Sequence, residues 1–282
     1  MAASGGVYSQ PKESGMPEVS LQFFAQMLVL GAAVGIVSNA LGVGGGLLIV
    51  PALVEFAPGI DQHTAKGTSL FIIMFVALIN AWRLNRGVTH IEWRLTALLA
   101  AGSIVGGYGG AWGTILLPED AVTWIFVTVL VLLALRLAFG ESGDPERLPQ
   151  QAKPRTAILI GLATGIISGA TGVGGGAIMV PLVLLAAAAS HKRVAAISNM
   201  VMVMTCLAAT VAHAQAEPTS DLPWTWGQIN VALAPLIVAG AQTAGPLGRW
   251  INHNLTRTQR RRTMLVLLTL IAVRLLYRTI TA

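Results

Sequence analysis

The chain has 282 residues, 54% of them apolar and only 11% charged, with a mean hydropathy of +0.70. A soluble domain carries about 25% charged residues, so composition excludes a water-soluble globule and indicates an integral membrane protein. The net charge of +6 falls in short loops between apolar spans. There it reads as a topology signal and argues against a nucleic-acid partner.

Residues 1–20 lack a basic segment followed by an apolar run, so they read as a flexible N-terminal tail and not a cleaved signal. An apolar span at 21–37 leads into Gly42-Val43-Gly44-Gly45-Gly46, and a short apolar piece at 47–57 contains Pro51. At 1.5 Å per residue this piece covers roughly 16 Å, about half of a 30 Å hydrocarbon layer. Spans at 67–82, 95–117 and 121–139 follow, and a charged stretch at 141–155 reads as a cytoplasmic linker. The next span, 156–168, leads into Gly172-Val173-Gly174-Gly175-Gly176, followed by a short piece with Pro181 at 177–189. The last spans are 194–214, 229–248 and 263–280. Cys206 is the only cysteine, so no intramolecular disulfide can form.

The chain repeats itself. Residues 31–51 and 161–181 are identical at 13 of 21 ungapped positions, at a spacing of 130. The same spacing sets AKGTSL at 65–70 against AAISNM at 195–200. AGSIVGGYGGAW at 101–112 matches AGAQTAGPLGRW at 239–250 at a spacing of 138, and Arg136 then falls opposite Arg274. The expected organisation is a tail (1–20), a first transmembrane repeat (21–140), the linker (141–155) and a second repeat (156–282).

Loop charge sets the relative orientation of the halves. The loop at 83–94 holds Arg83, Arg86 and Arg94, whereas its counterpart at 215–228 has no Lys or Arg and carries Glu217 and Asp221. The turn at 117–121 is acidic, and its counterpart at 249–262 holds Arg249, Arg257, Arg260, Arg261 and Arg262. Equivalent loops on opposite sides of the membrane mean inverted repeats. The four loops assigned to the cytoplasm would hold 13 of the 18 basic residues, with both tails outside. The expected fold is an all-α polytopic membrane protein of two inverted repeats, each with a helix broken at GVGGG, with eight to ten transmembrane segments.

A break in a membrane helix survives only inside protein or beside a wet cavity. Half-helices starting near Gly46 and Gly176 would present positive dipole ends, and glycine lets backbone approach a ligand closely. Ser38 and Asn39 precede the first motif; Ser168 and Thr171 precede the second. Thr68 and Ser69 stand opposite Ser198 and Asn199 in the next span, and Lys66 is the nearby cation. This set, with Gly42, Gly44, Gly45, Gly46, Gly172, Gly174, Gly175 and Gly176, is the candidate site for a small anion. Other readings apply to some members. The hydroxyls and amides could bond their own helices, and Lys66 could snorkel to the headgroups. The glycine pairs at 106–107 and 109–110 read as packing positions, Arg136 and Arg274 as interfacial anchors, and the seven tryptophans as interface belts. His63 lies in a loop and His213 at a span end. No HExxH, CxxC or Walker A sequence is present, so no cofactor, metal site or nucleotide is expected.

Two G-x-G-G-G motifs followed by Val-Pro, each trailed by a segment like Thr68-Ser69, resemble the TauE/SafE family of membrane transporters. The resemblance covers the chain from about Leu21, and Ser198-Asn199 departs from the Thr-Ser pattern. It implies a secondary transporter exporting small sulfur-containing anions such as sulfite or organosulfonates across a bacterial inner membrane. A proton or sodium gradient is the expected coupling force. The alternatives are an anion channel, or a membrane-embedded enzyme or sensor that transports nothing.

Overall fold

The computed structural model describes residues 21–41, 46–57, 59–86, 92–139, 153–186, 188–189, 191–220 and 222–281. In the first half these residues form α1 (Leu21–Leu41), α2 (Gly46–Phe56), α3 (Gln62–Asn85), α4 (Trp93–Ile115) and α5 (Glu119–Phe139). The second half holds α6 (Pro154–Thr171), α7 (Gly176–Leu185), α8 (His191–Gln215), α9 (Leu233–Asn254) and α10 (Arg257–Thr281). A hairpin of β1 (Thr225–Trp226) and β2 (Ile229–Asn230) lies between α8 and α9. The protein is therefore an all-α polytopic membrane protein. Among the described residues, four helices are long and apolar enough to cross a membrane: Gln62–Asn85, Trp93–Ile115, Glu119–Phe139 and Arg193–Gln215. The outer surface is rich in Phe, Leu, Val and Ile side chains, and all seven tryptophans are exposed. Water would penalise such a surface; hydrocarbon does not.

Local chemistry accounts for the helix ends. Asp61 caps α3 by accepting the backbone N–H groups of His63 and Thr64 at 3.1 and 3.3 Å. Pro154 stands in the first turn of α6, where no intrahelical N–H is needed. Pro51 and Pro181 lie inside α2 and α7, which are only 11 and 10 residues long.

Four expectations need correction. His63, expected in a loop, lies in the first turn of α3 and is buried. The span placed at 229–248 starts as strand: Thr225 pairs with Asn230 and Trp226 with Ile229, and α9 runs on to Asn254. The alternation in TWGQIN and the glycine at the turn (Gly227, φ 56°) favour a hairpin over helix. The piece placed at 177–189 stops as helix at Leu185. Of the glycines read as packing positions, Gly106, Gly107 and Gly110 lie against neighbouring helices, but a Cβ on Gly109 would meet nothing within 4 Å.

The halves pack crosswise. α1 lies along α9, and their counterparts α6 and α4 lie along each other; these are the two most extensive helix pairs. Small residues let both pairs approach at backbone distance. A Cβ on Gly31 would lie 2.4 Å from the Ile237 carbonyl oxygen, and one on Gly102 would lie 2.1 Å from that of Ile158.

Helix directions follow from which residues meet. Gly31 and Gly35 meet Ile237 and Ala241, so α1 and α9 are parallel. Gly161, Gly165 and Gly169 meet Leu99, Ser103 and Gly107, so α6 and α4 are parallel. Glu92 pairs with Arg193, and Gly107 meets Thr205, which aligns α4 with α8. Thr68 bonds Asn230 and Arg83 bonds Gln242, which aligns α3 with α9. Lys66 near the start of α3 bonds Thr114 near the end of α4, so these two are antiparallel. Thus α1, α3 and α9 point one way, and α4, α6 and α8 the other. Because α1 and α3 run parallel, the chain must return along the axis between them, through the segment that contains α2. The same holds for α6, α7 and α8.

Candidate functional site at the paired helix breaks

The second break is fully described. α6 stops because Gly172 turns left-handed (φ 75°), with its N–H donated to the Ser168 carbonyl at 2.8 Å. Gly174 (φ 82°) and Gly175 (φ 71°) are also left-handed, a region that side chains with a Cβ rarely adopt. α7 then starts at Gly176, with the N–H groups of Ile178 and Met179 donated to the Gly175 carbonyl. Residues 171–176 are all buried. At the first break α2 starts at Gly46, and Gly42, Gly44 and Gly45 lie outside the described residues.

The two breaks touch. A Cβ on Gly46 would lie 2.2 Å from the Val173 carbonyl oxygen and 2.4 Å from Ile73 Cδ1. α3 passes beside this junction, where Ser69 Oγ donates to the Gly172 carbonyl at 2.9 Å and the Lys66 backbone packs on Gly172. From α8, Ser198 and Met202 pack on Gly176. From α6, Thr164 and Ser168 pack on Gly175.

The members of the predicted set differ in what they bond. Ser168 Oγ is buried without a hydrogen-bond partner among the described residues. Thr171 is spent on the Ile167 carbonyl at 2.6 Å. Thr68 Oγ1 accepts the Asn230 N–H at 2.9 Å, so it holds the hairpin. Ser198 Oγ has only the Met202 sulfur, at 4.0 Å. Asn199 bonds back to the Ala195 carbonyl, away from the junction's polar atoms. Asn39 bonds back to Gly35, and its carbonyl accepts from Asn252. Ser38 is half-buried on α1.

Lys66 does not snorkel: it is fully buried, and Nζ donates to Thr114 Oγ1 at 2.8 Å. Among the described residues no carboxylate pairs with it. An intramembrane cation without an ionic partner is a strong functional marker. Asp61 is the nearest acid outside the helices. Burial pushes its carboxyl up, but hydrogen bonds from Thr64, Thr219 and His63 outweigh this and hold it below its usual range. Arg274, read as an anchor, pairs with Glu55 of α2.

Thr164 is the residue that sequence reasoning passed over. Its hydroxyl is buried and unpartnered, one helical turn before Ser168 on the same face of α6. The four-residue spacing was available in the sequence. The comparison of halves obscured it, because Val34 stands at the counterpart position. His213, placed at a span end, is fully buried and bonds Gln228 Oε1 at 2.8 Å.

Two broken helices meeting inside a bundle of apolar helices define a polytopic membrane protein with a polar junction in its interior. The chain matches the family described as sulfite exporter TauE/SafE over residues 27–275, and it belongs to that family. Probable membrane transporter protein YunE of Bacillus subtilis is 26% identical over 279 residues, covering 90% of this chain and 97% of that protein. A probable membrane transporter protein of Methanocaldococcus jannaschii is 26% identical over 235 residues, covering 82% and 86%. One from Haemophilus influenzae is 28% identical over 165 residues, covering 56% and 62%. No solved structure matches the chain. The family is one of transporters, which makes this protein a membrane transporter.

Proposed function

We propose that this protein is a secondary carrier of small sulfur-containing oxyanions, sulfite or organosulfonates, held where the two glycine breaks meet. The observation that carries the reading is the pair Thr164 and Ser168: two buried hydroxyls without partners among the described residues, packed on Gly175 at the start of α7. Leaving a buried donor unsatisfied costs about 1–3 kcal/mol. An oxyanion accepts such donors, and the positive end of α7 favours it. Lys66, whose backbone packs on Gly172 and whose buried amine reaches Thr114, supplies the counter-charge. Gly42, Gly44 and Gly45 would form the matching cradle of the first half.

The two halves act as inverted repeats, and transport is by alternating access. The opposite directions of α1 and α6 and the crosswise packing of the halves support this reading. Net export from a bacterial cytoplasm, driven by an ion gradient, fits the family description. Proteoliposome flux with a panel of sulfite, sulfonates, sulfate and thiosulfate tests the proposal. Saturable counterflow that weakens in Ser168→Ala is the expected result. Non-saturating conductance would instead identify a channel, and turnover in detergent without flux an enzyme.

A further inference from the structure

Beside the junction, around the start of α3 and the end of α8, lies a second polar cluster that anion binding does not explain. His63 and Lys66 are one turn apart on α3, and both are buried. His213 of α8 is buried beside Gly67, with its Cβ 3.1 Å from where a Cβ on Gly67 would lie. His63 and Lys66 both act electrostatically on His213.

His213 is fixed through one ring nitrogen, and both histidines leave a ring nitrogen open among the described residues. His213 Nδ1 meets Gln228 Oε1 at 2.8 Å. An amide oxygen can only accept, so Nδ1 carries the hydrogen, and in the neutral ring Nε2 keeps its lone pair. That Nε2 is buried without a partner among the described residues. The Nδ1 of His63 is likewise buried and unpartnered among the described residues. A basic nitrogen oriented by its ring partner and left open is the arrangement a proton acceptor needs.

The surroundings hold little competing charge. Asp61, the N-cap of α3, accepts the hydroxyl of exposed Thr219 at 2.7 Å and the backbone N–H of His63. Asp61 and Lys66 are the charged groups of α3 here, α8 adds only His213, and α4 contributes the uncharged Thr114. Glu119 and Asp120 of α5 and Glu217 after α8 are exposed. The cluster is also absent from the repeated scaffold, since Ala196 and Arg193 stand where the second half would need the counterparts of Lys66 and His63.

We propose that His63, Lys66 and His213 form a proton-carrying station that couples proton movement to the anion at the neighbouring junction. The inference rests on the carrier reading above. A proton from water adds to the open ring nitrogen of His213 or His63, giving an imidazolium, and later leaves to water on the opposite side. No bond between heavy atoms changes. Lys66, which packs on Gly172 and belongs to the same cluster, gives the electrostatic link between proton and anion.

The test uses proteoliposomes, labelled methanesulfonate and an internal pH dye. A sulfonate is chosen because, as a strong-acid anion, it carries no proton of its own near neutral pH. Wild type should move protons with the anion, and a pH gradient should drive uptake against the anion gradient. His213→Asn keeps a hydrogen-bonding nitrogen towards Gln228, and His63→Gln keeps a polar amide of similar reach, but neither retains a basic nitrogen. Both variants should keep counterflow and lose gradient-driven accumulation, at least tenfold for His213→Asn. Proton movement unchanged in both variants overturns the station, as does anion flux in wild type without protons. Absence of counterflow in wild type would instead sink the carrier reading itself. Thermal melts of both variants in detergent separate misfolding from uncoupling, and one folded variant suffices to decide.

Discussion

Gly175→Ala perturbs the junction with a single methyl group. Gly175 sits at φ 71°, so any Cβ meets left-handed strain of about 1–2 kcal/mol. The same Cβ would lie 2.9 Å from Thr164 Cγ2 and 3.3 Å from Ser168 Cβ. Thr164 is β-branched and rotamer-restricted in α6, so it cannot easily move aside, and overpacking adds roughly 1–3 kcal/mol. Together these give a loss of about 2–5 kcal/mol, a fall in melting temperature of roughly 4–20 °C. Gly109→Ala is the matched control, because a Cβ there meets nothing within 4 Å and its φ is not positive. Alanine in a helix interior should leave stability unchanged or raise it by about 0.5–1 kcal/mol. Thermal unfolding of both variants in one detergent, followed by anion counterflow in liposomes, provides the assay. Gly175→Ala melting with the wild type and transporting at full rate would refute both the backbone argument and the cradle.

Other variants probe separate links. Gly46→Ala would drive a Cβ to 2.2 Å from the Val173 carbonyl, so the two breaks must separate; loss of folded yield or of flux is expected in size-exclusion and transport assays. Ser69→Ala removes the bond to the Gly172 carbonyl, with an expected cost of about 1–3 kcal/mol for the buried acceptor, read by thermal melt. Lys66→Met should raise the KM for the anion about tenfold, equivalent to about 1.4 kcal/mol; an unchanged KM would remove Lys66 from the anion site. Single cysteines at Glu217 and Arg261, both exposed, should react with an impermeant thiol reagent from opposite sides of the membrane; labelling from one side would contradict inverted halves. The native Cys206 is buried and should stay silent. Asp61, held below its usual value of 3.8, contributes stability that is full above that value and lost as pH falls through its lowered folded value. Asp61→Asn should flatten this acid step in pH-dependent melts.

Sequence alone determined the membrane class, because an 11% charge content leaves too little polar surface for a soluble domain. It also located the helix breaks, since glycines clustered between apolar runs leave no other place for α6 and α7 to divide, and α2 and α7 begin at the expected Gly46 and Gly176. The duplication was legible for the same reason: identical residues at constant spacing need no coordinates. Tertiary structure decided which polar side chains are available. Ser168 and Thr171 look alike in sequence, yet Thr171 is consumed by its own helix while Ser168 is left open against Gly175. Lys66 lies near a span end, where snorkelling is the ordinary outcome, but it is turned inward to Thr114 of α4. His213 acquired its partner from a hairpin that apolar periodicity had read as the start of a helix. Composition and local spacing fix where a chain enters the bilayer and where its helices break. The partner of a buried polar atom can lie more than a hundred positions away, as Ser69 and Gly172 illustrate, and only the folded bundle brings such a pair together.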